Sequence, residues 1–179
     1  VDNQKAMNET ILYMFNLKFK NFKQKIILPP IDYKLPSIPE RIVSIDPAGC
    51  RDIDDAFSIT KVDNTYVLKI YIADNTFIIN NKDLFNHMKT QTTSIYAPEK
   101  TYHLMPEFEY CSLIADKPKN ANICEIIIQD NNIKSYRFYQ DNIIVNENLA
   151  YDDPFDDYLK MCNTVVKNLN FNFKTKNTK

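Results

Sequence analysis

Basic charge is scarce in this sequence. The formal net charge is −1, and arginine occurs only as Arg41, Arg51 and Arg137. No global basic footprint therefore marks a nucleic-acid binder, and any path for a polyanion needs local clusters of lysine and arginine. The four cysteines, Cys50, Cys111, Cys124 and Cys162, form no C-x-x-C pair. That scatter speaks against zinc ligation and a disulfide framework, and for free thiols in a reducing compartment. No apolar run approaches the ~20 residues a bilayer span requires, and no signal-peptide pattern opens the chain. The expectation is a soluble, cytoplasmic protein without membrane contact. Glycine occurs once, as Gly49. Of the 179 residues, 44% are apolar, which suffices for one domain with a sizeable core. Val1 at one end and Lys176-Asn177-Thr178-Lys179 at the other read as cuts in a longer chain.

The solitary glycine sits inside the most informative stretch, Ser44-Ile45-Asp46-Pro47-Ala48-Gly49-Cys50-Arg51-Asp52-Ile53-Asp54-Asp55-Ala56. Strand-like apolar segments enclose Asp46, Asp52, Asp54 and Asp55 on both sides, Ile42 to Ile45 before them and Ala56 to Ile59 after. Glycine is the default where a loop takes positive φ or lets backbone approach a ligand closely. Pro47 to Arg51 thus reads as a tight loop folding Asp46 back beside the other three. Two like charges about 4 Å apart repel by roughly 4 kcal/mol at an effective dielectric near 20, and a polycation is the simplest relief. Hard carboxylate oxygens select magnesium, manganese or calcium over zinc. By spacing alone, an acidic turn exposed between two strands remains an equal alternative. The EF-hand pattern, D-x-D-x-D-G with a glutamate at position twelve, is not met.

Around this motif the periodicities predict α+β. Residues 5–23 read as a helix with Met7, Ile11, Met14, Phe15 and Phe22 on one side and Lys18, Lys20, Lys23 and Lys25 toward its end. Pro29, Pro30, Pro36 and Pro39 then mark an extended linker over 28–40. Thr65 to Ala73 alternates as a strand, joined through Asp63-Asn64 to the strand after the acidic motif, and delivers Asp74 at its end. Residues 82–89 read as a short helix with Leu84, Phe85 and Met88 inward. Asn122 to Gln129 and Ile133 to Tyr139 make a second hairpin about Asp130-Asn131-Asn132. A last helix starts with Asp153 as N-cap and Pro154 in its first turn, and its stripe runs through Phe155, Tyr158, Leu159, Cys162, Val165, Val166 and Leu169. The expected architecture is a mostly antiparallel sheet of hairpins with packed helices. Its divisions are 1–40 (helix and proline-rich linker), 41–170 (the main domain) and 171–179 (tail or truncation point).

Ile45-Asp46-Pro47-x-Gly49-x-Arg51-Asp52-Ile53-Asp54-Asp55-Ala56 resembles the signature of the ribonuclease II and ribonuclease R family, whose catalytic unit is the RNB domain. Four later segments follow in the family's order: Ile72-Ala73-Asp74, Thr93-Ser94-Ile95-Tyr96-Ala97-Pro98, Cys111-Ser112-Leu113 and Leu149-Ala150-Tyr151-Asp152. His103-Leu104-Met105-Pro106 resembles the family's Pro-Met-Leu-Pro with changes, and Gln91 stands where the family has arginine. The likeness runs from about Arg41 to Leu169, the first part of an RNB domain.

The resemblance implies a processive 3′-to-5′ exoribonuclease that hydrolyses single-stranded RNA to nucleoside 5′-monophosphates with Mg2+ (or Mn2+). By the same likeness Asp46, Asp52, Asp54 and Asp55 are metal ligands, and Asp54 is the one turnover needs most. Tyr96 stacks on a base near the RNA 3′ end, and Tyr151 lies in the catalytic pocket near the scissile phosphate. The family's later glutamate, its arginine motifs and its flanking RNA-binding domains have no counterpart in these residues. The second expectation is therefore a catalytically incomplete RNB-like RNA-binding or assembly module. In either case the missing C-terminal part of the domain, or a partner supplying it, is expected to complete the site.

Overall fold

A computed structural model describes residues 3–15, 22, 26–28, 30–34, 39–76, 80–91, 93–97, 100–105 and 108–169. Two compact units emerge, one from Val1–Pro30 with Asn75–Cys111, the other from Ile31–Asp74 with Ser112–Lys179.

The first unit holds helices α1 (Asn3–Met14), α2 (Lys82–Gln91) and the single turn α3 (Phe108–Cys111), with the short antiparallel pair β4 (Ile95–Ala97) and β5 (Lys100–Tyr102). The predicted stripe of α1 does not become a packed face. Met7, Met14 and Phe15 are exposed, while Asn8 is the buried residue. Lys18, Lys20, Lys23 and Lys25 lie outside the described residues, as do Pro29 and Pro36. In α2, Leu84 is buried as expected, but Phe85 is exposed and Gln91 takes an inward position.

The second unit is built on a six-stranded sheet in the order β7-β6-β3-β2-β1-β8. Its strands are β1 (Val43–Asp46), β2 (Asp55–Val62), β3 (Thr65–Ala73), β6 (Pro118–Gln129), β7 (Asn132–Ile144) and β8 (Glu147–Ala150). The fold class is α+β and the sheet is mostly antiparallel, with β1 and β8 running parallel. Both expected hairpins form. Asp63 closes the first at φ 53° and Asp130-Asn131 the second at 53° and 58°, a region that aspartate and asparagine tolerate better than other side chains.

Alternation along β3 fills both faces of the sheet rather than one. One face carries Ile59, Leu68 and Ile128 under helix α4 (Asp157–Asn168), which contributes Cys162 and Val165 and is followed by Leu169. The opposite face packs Ala56, Tyr71, Ala73, Ala121 and Ile123 with Ile53, Leu113 and Val145. Helix α4 begins later than the sequence suggests. Asp156, not Asp153, is the N-cap, its side chain accepting from the Leu159 amide. Asp153 instead closes a turn back onto Ala150, accepting from its amide and donating its own N–H to its carbonyl. Arg41 grips Asp156 and both oxygens of Glu147, tying the start of α4 to β8. Among the described residues no helix is long and apolar enough to cross a membrane.

A polar cluster anchors the chain just before β1. Glu40 accepts from the Tyr71 hydroxyl at 2.6 Å and from Ser58 at 3.2 Å, and it pairs with Lys69. Tyr71 is 1% exposed, so losing its hydroxyl strands part of this network without water to replace it. Tyr71→Phe is expected to cost about 1–3 kcal/mol in urea unfolding. Tyr136→Phe, on an exposed ring, is expected to stay within about 0.5 kcal/mol.

Candidate active site

The acidic motif spans the end of β1, an irregular loop and the start of β2. Its bend is a tight turn in which the Cys50 amide donates to the Pro47 carbonyl at 3.0 Å. Gly49 stands at φ 76°, the positive value that the third position of a type II turn requires. A side chain added there would meet nothing within 4 Å. Backbone conformation, rather than close approach, explains the glycine.

After the bend the chain dips once into the core. Ile53 is 1% exposed, and burial of that one residue places its two acidic neighbours at the rim. Asp52 is half-buried and Asp54 exposed. The Asp54 carbonyl accepts from the Ala73 amide at 2.9 Å, and Asp55 opens β2 opposite Ile72. Asp74 follows directly and donates its amide to Asn120. On the other side of the bend, Asp46 ends β1 in register with Ala150 of β8. The next amide, of Tyr151, donates to the Asp46 carbonyl at 3.1 Å. The ends of β1, β3 and β8 and the start of β2 thus bring Asp46, Asp52, Asp54, Asp55, Asp74 and Tyr151 to one end of the sheet.

Two electrostatic signs mark the cluster. Asp46 Oδ2 is buried and has no hydrogen-bond partner, a costly state for a carboxylate oxygen. Although Asp54 is exposed at the rim, its carboxyl is held above the ordinary carboxylate value, first by partial loss of hydration and then by the charges of Asp52, Asp55 and Asp46. All four aspartates therefore share one electrostatic neighbourhood. They do not form a closed cage, however. Among the described residues no group of three His, Cys, Asp or Glu side chains stands ready to hold one ion. Like charges repel one another, and the bend sets backbone, not side-chain ends. The residues nonetheless fit a hard divalent cation in donor chemistry. They offer oxygens only, one of them orphaned, and magnesium is characteristically held by one or two carboxylates with water and substrate phosphate completing its shell.

Tyr151 is 68% exposed beside this cluster. Tyr96 belongs to the other unit, in β4, and its ring is 69% exposed. Arg41 and Arg137 are spent on bidentate ion pairs with Glu147 and Glu125. The Cys111-Ser112-Leu113 segment carried no role in the sequence. Here the Ser112 hydroxyl donates to the Arg51 carbonyl at 2.6 Å and accepts from the Ile53 amide at 2.9 Å. Asn148, which no sequence signal pointed to, bonds Ser44, Leu113 and Ala115.

The family model described as RNB domain matches residues 38–173, a stretch that contains every one of these aspartates. The chain belongs to the RNB domain family. Among RNB relatives, the exosome complex exonuclease RRP44 homolog A of Arabidopsis thaliana is 28% identical over 170 residues, covering 84% of this chain and 18% of its own. A solved structure of Mycoplasma genitalium RNase R, in complex with ribose-methylated single-stranded RNA, shares the fold at TM-score 0.68 and 20% identity, over 93% of this chain and 30% of that one. Yeast Ssd1, described as a pseudonuclease, superposes at TM-score 0.58 and 16% identity, over 70% of this chain and 17% of its own. The chain thus spans less than a third of these relatives.

The raised Asp54 carboxyl has a consequence for stability. A carboxyl whose folded pKa exceeds its unfolded value stabilises the fold at low pH, and that contribution is lost as pH rises through the folded pKa. Without divalent cations, Asp54→Asn is therefore expected to raise the urea midpoint at pH 7. The gain should vanish as pH falls to roughly 4, near the free aspartate value. A variant less stable than wild type at pH 7 would contradict the like-charge cluster.

Proposed function

We propose that this chain carries the aspartate half of the catalytic site of an RNB-type 3′-to-5′ exoribonuclease, which hydrolyses single-stranded RNA to nucleoside 5′-monophosphates with Mg2+ (or Mn2+). The observation that carries this reading is the convergence of Asp46, Asp52, Asp54, Asp55 and Tyr151 at one sheet end, with one Asp46 oxygen buried and unpaired. Asp46, Asp52, Asp54 and Asp55 hold the cation in this account. Once bound, a divalent cation polarises phosphoryl oxygens and lowers the pKa of its water. Asp54, whose charge its neighbours disfavour, is the residue turnover depends on, as the likeness to the family's signature implies. Tyr151 orients the scissile phosphate from its place beside Asp46. Tyr96 offers an exposed ring on which any base can stack, worth about 1–3 kcal/mol and suited to an enzyme indifferent to sequence. All four cysteines are free thiols, which fits a reducing compartment and, with it, the cytoplasm. The rest of an RNB domain, continuous with this chain or supplied by a partner, contributes the phosphate-gripping arginines.

A second reading is a catalytically incomplete RNB-like RNA-binding or assembly module. The bidentate pairing of Arg41 and Arg137 favours it, since neither guanidinium is left to grip a phosphate. The fold also occurs in Ssd1, described as a pseudonuclease, and fold alone does not carry activity. Metal binding and turnover separate the two. In the completed enzyme, Asp54→Asn is expected to lower magnesium-dependent monophosphate release by more than about 100-fold while RNA binding holds. In calorimetry, the isolated chain should take up Mg2+ or Mn2+ saturably and Asp46→Ala should lose that heat. Unchanged turnover in Asp54→Asn would overturn the enzyme reading, and wild type without saturable heat would leave an inert acidic turn.

A further inference from the structure

The loop that carries Asp52 and Asp54 belongs to no helix or strand from Cys50 to Asp54. Its backbone polar groups need partners from elsewhere, and those partners decide where the two carboxylates stand. Ser112, 4% exposed, bridges the loop with one hydroxyl. It donates to Arg51 O at 2.6 Å and accepts from Ile53 N at 2.9 Å. The next residue continues the contact, the Leu113 amide donating to Ile53 O at 2.8 Å. Asn148 takes up the chain of bonds from there. Its Nδ2 donates to Leu113 O at 3.1 Å and to Ser44 Oγ at 2.9 Å, and its Oδ1 accepts from Ala115 N at 2.8 Å. Ser44 stands on β1 two residues before Asp46, and is 1% exposed.

The bonds run from the Ser44 hydroxyl, on the strand that ends in Asp46, through Asn148 and the Ser112-Leu113 segment to the backbone on either side of Asp52. We infer that Ser112 and Asn148 are positioning residues, a strap that sets Asp52 and Asp54 at a fixed distance from Asp46 across the bend. The inference rests on the metal reading above and adds to it the residues that act through the ligands. Neither side chain is offered as a ligand itself. Groups that orient metal ligands from behind typically alter metal affinity by 10- to 100-fold when removed. The strap also gives Cys111-Ser112-Leu113 a physical reason for its serine. A hydroxyl can donate to one backbone group and accept from another at once, which alanine or valine cannot do.

The test is Mn2+ affinity by calorimetry on the 179-residue chain, in wild type, Ser112→Ala, Asn148→Ala and Asp46→Ala. Val165→Ala, which trims the core beneath α4, is the control for general destabilisation. Ser112→Ala and Asn148→Ala are each expected to bind Mn2+ at least about 10-fold more weakly, while Val165→Ala binds as wild type does. If Ser112→Ala does not fold, Asn148→Ala, at an exposed residue, decides alone. Wild-type affinity in the strap variants, alongside loss of binding in Asp46→Ala, overturns the strap and leaves the metal site standing. An equal loss in Val165→Ala also overturns it. Absence of saturable binding in wild type, or binding that Asp46→Ala leaves intact, removes the metal reading and this inference with it.

Discussion

Repulsion among four carboxylates confined to one sheet end is the interaction around which this structure is arranged. Like charges brought to one rim repel one another, and the raised Asp54 carboxyl carries that repulsion from Asp52, Asp55 and Asp46. The sheet bears that load through backbone rather than through the acidic groups. Ile53 is sunk between Leu113 and the core face of β2 and β3, and Asp46 is fixed by its parallel pairing with β8. The acidic side chains are carried by backbone that core packing and strand pairing hold in place. The raised Asp54 carboxyl and the orphaned Asp46 oxygen are the local strain of that arrangement. In the proposed site a bound cation would relieve both.

Much of this was legible in the sequence because its causes are local. Asp63-Asn64 and Asp130-Asn131 announce hairpins through the positive φ they tolerate, and Gly49 announces the bend in the same way. The parallel pairing of β1 with β8 was not legible. It joins Val43 to Glu147 across the whole unit, and no short-range pattern encodes a partner so distant. The start of α4 was misread because Asp153 and Asp156 both suit an N-cap. Tertiary contact chose between them, with Arg41 drawing Asp156 into an ion pair while Asp153 folded back on Ala150. The sequence sets Met7, Ile11 and Met14 on one side of α1, yet Met7 and Met14 are exposed. Periodicity marks which residues share a side of a helix, not whether anything covers that side.

The candidate site shows the same division. The aspartates were visible as a spacing and Tyr151 as part of a family likeness, and the structure draws them to one rim. The polar bonds that hold the rim in place, through Ser112, Asn148 and the Glu40 cluster, came only from coordinates. A serine or asparagine looks the same in a sequence whether it faces water or bridges two strands. Membership of the RNB family sets the chemistry to be sought here. Oxygen donors and an unpaired carboxylate oxygen are what this chain itself brings to it.

The most direct test is anomalous diffraction at the manganese edge from crystals grown with Mn2+. This account predicts a peak bounded by Asp46 and at least one of Asp52, Asp54 and Asp55, with ligand distances of about 2.0–2.5 Å. Saturating Mn2+ with no peak at that rim, the four carboxylates turned apart into solvent, would contradict it.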